Sequence, residues 1–349
     1  MNKIKVLIID DSALVRQLLT TILASSPEIE VVGSAADPLI AREKIKQLNP
    51  DVLTLDIEMP KMNGLIFLDK LMRLRPMPVV MISTLTEKGA DATLRAMALG
   101  AVDFISKPKI DITNSLEAYA EEIVAKVILA AKCNAHWLDK QPNVQANLQT
   151  NNSMNENLSL PASTKIIAIG ASTGGTEALK EVVSQLPATM PAILVSQHLP
   201  ATFSQSFVRH VNAVTRMQAV IAQDQQPIET GHVYIAPGDR HLEVIKKDAG
   251  YQCRLNDSPA VNRHKPSVEM MFESIAHNVG SNAIGVMLTG MGADGARAMK
   301  KMKDAGASNI VQDRASSVVW GMPGQAYKLG AADFVLPLDV IARQLMALV

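Results

Sequence analysis

Val6-Leu7-Ile8-Ile9-Asp10-Asp11-Ser12 is a short β-rich run that stops at two carboxylates and opens directly into a helical pattern over 12–25. The same alternation repeats along the chain. Strands are expected near 5–9, 30–34, 51–55, 78–82 and 102–105, and helices near 12–25, 38–48, 64–74, 89–98 and 113–131. Five strands alternating with five helices imply a doubly wound parallel sheet. In such a sheet ligands bind at the carboxyl ends of the strands, where neighbouring loops converge. Strand one ends in Asp10-Asp11, strand three in Asp56, strand four in Ser83-Thr84 and strand five in Lys107-Pro108. Three carboxylates, a hydroxyl and an ammonium are therefore expected at one edge.

That edge suits phosphoryl chemistry. Crowded carboxylates repel unless a hard cation neutralises them, and Mg²⁺ takes oxygen ligands while still accepting phosphate oxygens. Asp56, central in the crevice, is the best nucleophile for an acyl phosphate, with Lys107 offsetting charge and Ser83 placed to bond the new phosphoryl oxygens. The plainer alternative is that Asp11-Ser12 merely caps a helix. It explains one aspartate but not five positions in this order at strand ends.

Between Asp139 and Ser163 the composition turns to Asn, Gln, Ser and Pro with little apolar periodicity, which reads as a linker. We place a first domain at 1–131, the linker at 132–162 and a second domain at 163–349. The second is again α/β. Strands are expected near 165–169, 191–196, 283–288, 309–312 and 333–336, interrupted by a strand-rich hairpin insertion over about 217–255.

Its first strand runs into Gly170-Ala171-Ser172-Thr173-Gly174-Gly175, a turn that serves equally as an anion cradle, a nucleophile elbow or a tight connection. Two other strand ends decide among these. One is followed by Gln197-His198 and another by Thr289-Gly290-Met291-Gly292-Ala293-Asp294-Gly295. A serine, a histidine and an aspartate beyond parallel strands are expected to converge as nucleophile, base and orienting carboxylate. His210 and His277 fall on helical segments, His136 beside the linker, and His232, His241 and His264 in or after the insertion, so His198 is the base this reasoning selects. Asp294 is also placed to cap the following helix. Thr173 and Met291 are candidate backbone donors to an oxyanion.

The 349 residues, 48% of them apolar, suffice for two cores. Thirty-four basic and 34 acidic side chains cancel, and no basic cluster appears, which argues against a nucleic-acid partner. Only Cys133 and Cys253 are present, with neither disulfide nor metal spacing, as suits a reducing cytoplasm. No apolar stretch reaches membrane-span length, so no membrane insertion is expected. A transcriptional effector would need a basic recognition helix, and a nucleotide-binding domain would use Ser172 in a phosphate turn. Salt-dependent DNA binding would reveal the first, and nucleotide-induced stabilisation the second.

Asp10, Asp11, Asp56, Ser83 and the Lys107-Pro108 pair make residues 1–131 resemble a response-regulator receiver of flavodoxin-like fold. The resemblance implies phosphorylation of Asp56 by a histidine kinase, with Mg²⁺ held by Asp10, Asp11, Asp56 and a backbone carbonyl at Glu58. Residues 163–349 resemble the chemotaxis methylesterase family, a Rossmann-like domain, through the Gly170–Gly175 turn, Gln197-His198, 234–239, 259–264, 288–295 and Gly321-Met322-Pro323. That likeness implies Ser172, His198 and Asp294 as a triad that needs no cofactor, hydrolysis of glutamyl γ-methyl esters on chemoreceptors, and deamidation of receptor glutamines. Leu199 departs conservatively from the methionine frequent there. We also expect the unphosphorylated receiver to cover the esterase cleft.

Overall fold

The computed structural model describes residues 3–59, 62–107, 116–133, 165–248 and 250–349. The linker expected at 132–162 lies outside the described residues from 134 onward, as does Pro108. The chain divides into two compact units, Met1–Val144 and Gln145–Val349.

In the first unit β1 (Ile4–Ile9), α1 (Ala13–Ala24), β2 (Ile29–Ala35), α2 (Pro38–Leu48), β3 (Val52–Asp56), α3 (Gly64–Leu74), β4 (Val79–Ser83), α4 (Glu87–Ala98), β5 (Asp103–Ser106) and α5 (Leu116–Ala131) follow in order. Every strand pairing is parallel and the sheet order is β2-β1-β3-β4-β5. The chain leaves β1 in one direction for β2 and returns past it to β3, so the topological switch lies between β1 and β3. Loops diverge there, and the crevice opens over Asp10 and Asp56. Strands β3 and β4 are buried along their whole length, which is why their sequences show no alternation. Local chemistry sets the helix starts: Ser12, Asp37, Asn63 and Thr86 each accept a backbone amide of the following turn.

The second unit carries β6 (Ile166–Ala171), α6 (Gly175–Ser184), β7 (Ile193–Gln197), α7 (Ala201–Asn212), β8 (Gln218–Ile221), β9 (His232–Ile235), β10 (His241–Lys247) and β11 (Gly250–Asn256). It continues with α8 (Val268–Asn278), β12 (Ala283–Met287), α9 (Ala296–Asp304), β13 (Ser308–Gln312), α10 (Met322–Lys328), β14 (Phe334–Leu336) and α11 (Leu338–Leu348). Its main sheet has seven parallel strands in the order β14-β13-β12-β6-β7-β9-β8. Here the switch point is the β6/β12 pair.

The strand-rich stretch expected as one insertion divides in two. Strands β8 and β9 extend the main sheet, and only β10 and β11 form the antiparallel hairpin. The β8–β9 crossover contains no helix. It runs beside the hairpin instead, with Gln225 N donating to Cys253 O, Cys253 N to Gln226 O and Ile228 N to Tyr251 O. The hairpin packs on α8, and Leu242, Val244 and Cys253 join Met271, Phe272, Ile275, Met299 and Met302 in one core. Burial of each large side chain in that core favours the docked arrangement by about 1.5–3 kcal/mol. This packing brings the segment between β11 and α8 to the carboxyl edge of the main sheet.

Candidate active site and receiver pocket

Ser172 is the first residue after β6, and its backbone is held from three sides. Its amide donates to Thr289 O at 3.1 Å, and its carbonyl accepts Gly175 N at 2.7 Å and Gln197 Nε2 at 2.9 Å. The turn is built from close approaches. Gly174 sits at φ +75°, where a Cβ would lie 2.6 Å from Val318 Cγ2, and a Cβ on Gly290 would lie 2.9 Å from Ser172 Cβ. Glycine is required at both places, the first for its backbone conformation and the second for space.

His198 follows β7, whose Gln197 is paired with Ala171. Its Nδ1 is 3.1 Å from Ser172 Oγ and its Nε2 is 2.9 Å from Asp294 Oδ2. Asp294 lies in the loop after β12, with its side chain 1% exposed. The structure therefore brings together the three residues singled out from strand ends. Relative to the usual Ser-His-Asp arrangement the two ring nitrogens are exchanged. The proton on Nε2 is fixed by the carboxylate, and the lone pair of Nδ1 faces the hydroxyl.

Asp294 is held by more than the histidine. Oδ1 accepts Asn262 Nδ2 at 2.7 Å, Ser267 Oγ at 2.8 Å and the Glu269 amide at 3.3 Å, while Oδ2 also accepts the Val268 amide at 2.6 Å. Burial pushes its pKa up, but hydrogen bonds and charge from His198, with Asn262 and Ser267, overcome this and hold it at about 2. The carboxylate is thus kept ionised where a buried acid would otherwise take up a proton.

Of the two candidate oxyanion donors, Thr173 is buried and its carbonyl accepts Thr289 Oγ1 at 3.0 Å. Met291 follows Gly290, the residue packed against Ser172. Sequence reasoning missed Asn262, Ser267 and His264. The last stacks on His198 with ring centroids 3.6 Å apart and planes 10° from parallel. The 259–264 stretch stands out in the sequence, but a rule about strand ends passes over a loop that arrives from the hairpin.

In the first unit Asp10, Asp11 and Asp56 place one carboxylate oxygen each within 4.8 Å of one another. Lys107 Nζ lies 2.8 Å from Asp56 Oδ2 and 3.4 Å from Asp10 Oδ2. Burial, with the nearby Asp10 charge, raises Asp56 to about 6 despite the lysine, and burial likewise raises Asp10. Burial alone would lower Lys107, yet contact with Asp56 and Asp10 raises it. Glu58 donates its amide to Asp56 Oδ1 at 3.3 Å. The hydroxyl of Ser83 is occupied elsewhere: it accepts Thr93 Oγ1 at 2.6 Å and lies 3.3 Å from Gly89 O. Buried Asp10 Oδ2 has the Lys107 ammonium beside it at 3.4 Å but no well-formed hydrogen bond, and three clustered carboxylates sharing one ammonium fit a hard divalent cation.

Comparison with known proteins agrees with both halves. Residues 167–345 match the family described as CheB methylesterase, and residues 6–119 the family described as response regulator receiver domain. A Hydrogenovibrio crunogenus protein named protein-glutamate methylesterase/protein-glutamine glutaminase is 55% identical over 377 residues, spanning 100% of both chains. A Xanthomonas campestris pv. campestris protein named protein-glutamate methylesterase/protein-glutamine glutaminase 1 is 57% identical over 347 residues, covering 99% of this chain and 97% of that one. The crystal structure of the Thermotoga maritima CheB methylesterase catalytic domain is 36% identical, covers 53% of this chain and 98% of that chain, and superposes with a TM-score of 0.52.

Proposed function

Since the chain belongs to the CheB methylesterase family and carries a response regulator receiver domain ahead of the esterase, we propose that it is a phosphorylation-stimulated protein-glutamate methylesterase and protein-glutamine glutaminase acting on chemoreceptors. The observation that carries the reading is the relay from Ser172 Oγ through His198 to Asp294, 3.1 Å and 2.9 Å.

In this reading His198 Nδ1 takes the Ser172 proton as Oγ bonds to the γ-carbonyl carbon of a methylated glutamate. The imidazolium, stabilised by Asp294, then protonates the departing methoxide, and methanol leaves. Water attacks the acyl-enzyme, again giving its proton to Nδ1, and Ser172 is released with a glutamate. A glutamine side chain follows the same path with ammonia as the leaving group. Thr173 and Met291 amides are our candidates for binding the oxyanion, because the amide of Ser172 itself is already bonded to Thr289.

The receiver spans 1–131, the linker 132–162 and the esterase 163–349 in this proposal. Asp56 accepts a phosphoryl group from a chemotaxis histidine kinase. Asp10, Asp11, Asp56 and the Glu58 carbonyl would hold Mg²⁺, which supplies charge neutralisation for the phosphoryl oxygens. Lys107 contacts the Asp56 carboxylate beside Asp10, and Ser83 leaves Thr93 to bond a phosphoryl oxygen.

The test is methanol release from methylated receptor with and without a small phosphodonor. Ser172→Ala should abolish turnover, and Asp56→Asn should remove only the stimulation. Turnover by the Ser172→Ala protein would overturn the assignment of Ser172 as nucleophile, and a stimulated Asp56→Asn protein the regulatory one.

A further inference from the structure

We propose that the loop 259–267 is a positioning element of the esterase site, in which His264 fixes the plane of the His198 ring while Asn262 and Ser267 fix Asp294. The proposal rests on the triad reading above and adds residues that the strand ends do not supply. Two in-plane hydrogen bonds, to Ser172 Oγ and Asp294 Oδ2, set how far His198 turns within its own plane. They leave the ring free to tilt about the line joining its nitrogens. A flat partner at 3.6 Å and 10° covers one face of the ring and removes that freedom.

The loop is built to hold such a partner. Asn262 and Arg263 have φ of +52° and +69°, the conformation of a two-residue primed turn, which asparagine tolerates well. Val261 and His264 close that turn by exchanging hydrogen bonds, N to O at 3.0 Å and 2.9 Å. The turn therefore presents the Asn262 amide to Asp294 and the His264 ring to His198 as one rigid tip. Below it, fully buried His241 ties both ends of the loop: its Nδ1 accepts the Ser267 amide at 3.1 Å, and its Nε2 donates to Pro259 O at 3.1 Å. Anchoring at both ends means that little conformational freedom remains to be lost when substrate binds, and small misplacements of a base cost about two orders of magnitude in rate.

The experiment is saturation labelling of Ser172 by a fluorophosphonate in the full-length protein, comparing His264→Ala, His264→Phe and Ser172→Ala. We expect His264→Ala to lower the limiting labelling rate at least tenfold with the half-saturating concentration within twofold. His264→Phe, which keeps a flat ring, should return to within about threefold of the unsubstituted protein. A limiting rate for His264→Ala within twofold of normal, a loss carried by the half-saturating concentration, or a phenylalanine variant as slow as the alanine one would each overturn the proposal. Labelling of the Ser172→Ala protein would instead refute the triad on which it rests.

Discussion

The backbone amide of Val268 donates to Asp294 Oδ2 over 2.6 Å, onto the same oxygen that receives His198 Nε2 at 2.9 Å. Val268 is the first residue of α8, so one carboxylate both closes a helix N-terminus and orients the imidazole. A buried anion is costly unless its oxygens are bonded, and here helix amides and side-chain donors of the preceding loop hold it ionised. The helix start and the catalytic geometry are therefore one structure.

Replacing Asp294 by Asn should disrupt both. An amide accepts through only one of its two heavy atoms, and its NH₂ would face donors, so His198 would turn its proton toward Ser172. We expect kcat to fall by roughly 10³–10⁴, the scale of the corresponding change in other triads. A loss below tenfold in methanol release would show that Asp294 does not set the tautomer.

Acid should weaken the esterase unit through the same residue. Asp294 is held at about 2 against an ordinary 3.8, so its ionisation stabilises the folded state fully above pH 4. That contribution, roughly 2 kcal/mol, is lost as pH falls from about 4 to about 2. Urea unfolding of the native protein and of Asp294→Asn at pH 6 and near pH 2.5 measures it. The stability gap should narrow in acid, and a gap independent of pH would contradict the linkage.

Asp56 carries the opposite sign. Burial and Asp10 raise it to about 6, so the unfolded chain releases this proton first and stability falls as pH rises from about 4 to about 6. In metal-free buffer at pH 7, Asp56→Asn should therefore raise the receiver's melting temperature by several degrees. Added Mg²⁺ should stabilise the unsubstituted protein more than the variant. A variant melting at or below the parent would sink the expectation.

Gly174→Ala and Gly292→Ala separate backbone strain from crowding. Both glycines have positive φ, +75° and +84°, but a Cβ at 174 would meet Val318 whereas one at 292 meets nothing within 4 Å. Gly292→Ala should cost about 1 kcal/mol, and Gly174→Ala about 2–4 kcal/mol with slower labelling of Ser172. Equal losses in calorimetry would remove the packing argument.

Much of the architecture was legible in the residues. The β1, β3 and β6 runs are mostly apolar because both sheet faces are covered, with Lys5 at the exposed start of β1 and buried Thr54 in β3 the exceptions before each run reaches a polar residue at the edge. Asp10, Asp56, Ser172 and His198 were found on that rule. Asp294, seven residues beyond the end of β12, needed the glycine loop as a second clue. His264 was set aside because its place depends on how the hairpin docks against α8, which no periodicity encodes. The role of β8 and β9 was likewise obscured, since their crossover has no helix and is held by hydrogen bonds to β11. Ser83 was legible as a strand-end hydroxyl, but its bond to Thr93 was not.

From the primary structure alone come two parallel sheets, their strand ends and the chemical kinds of side chain gathered there, because burial on both faces dictates local composition and a parallel sheet directs its strand ends to one edge. Tertiary packing decided which nitrogen of His198 faces Ser172, how Asp294 stays charged, and which loop closes over the ring. Those outcomes depend on contacts between segments far apart in sequence, such as His241 with Ser267 or Asn262 with Asp294. Their strength lies in ångström-scale geometry that exists only once the hairpin, the helix and the sheet have come together.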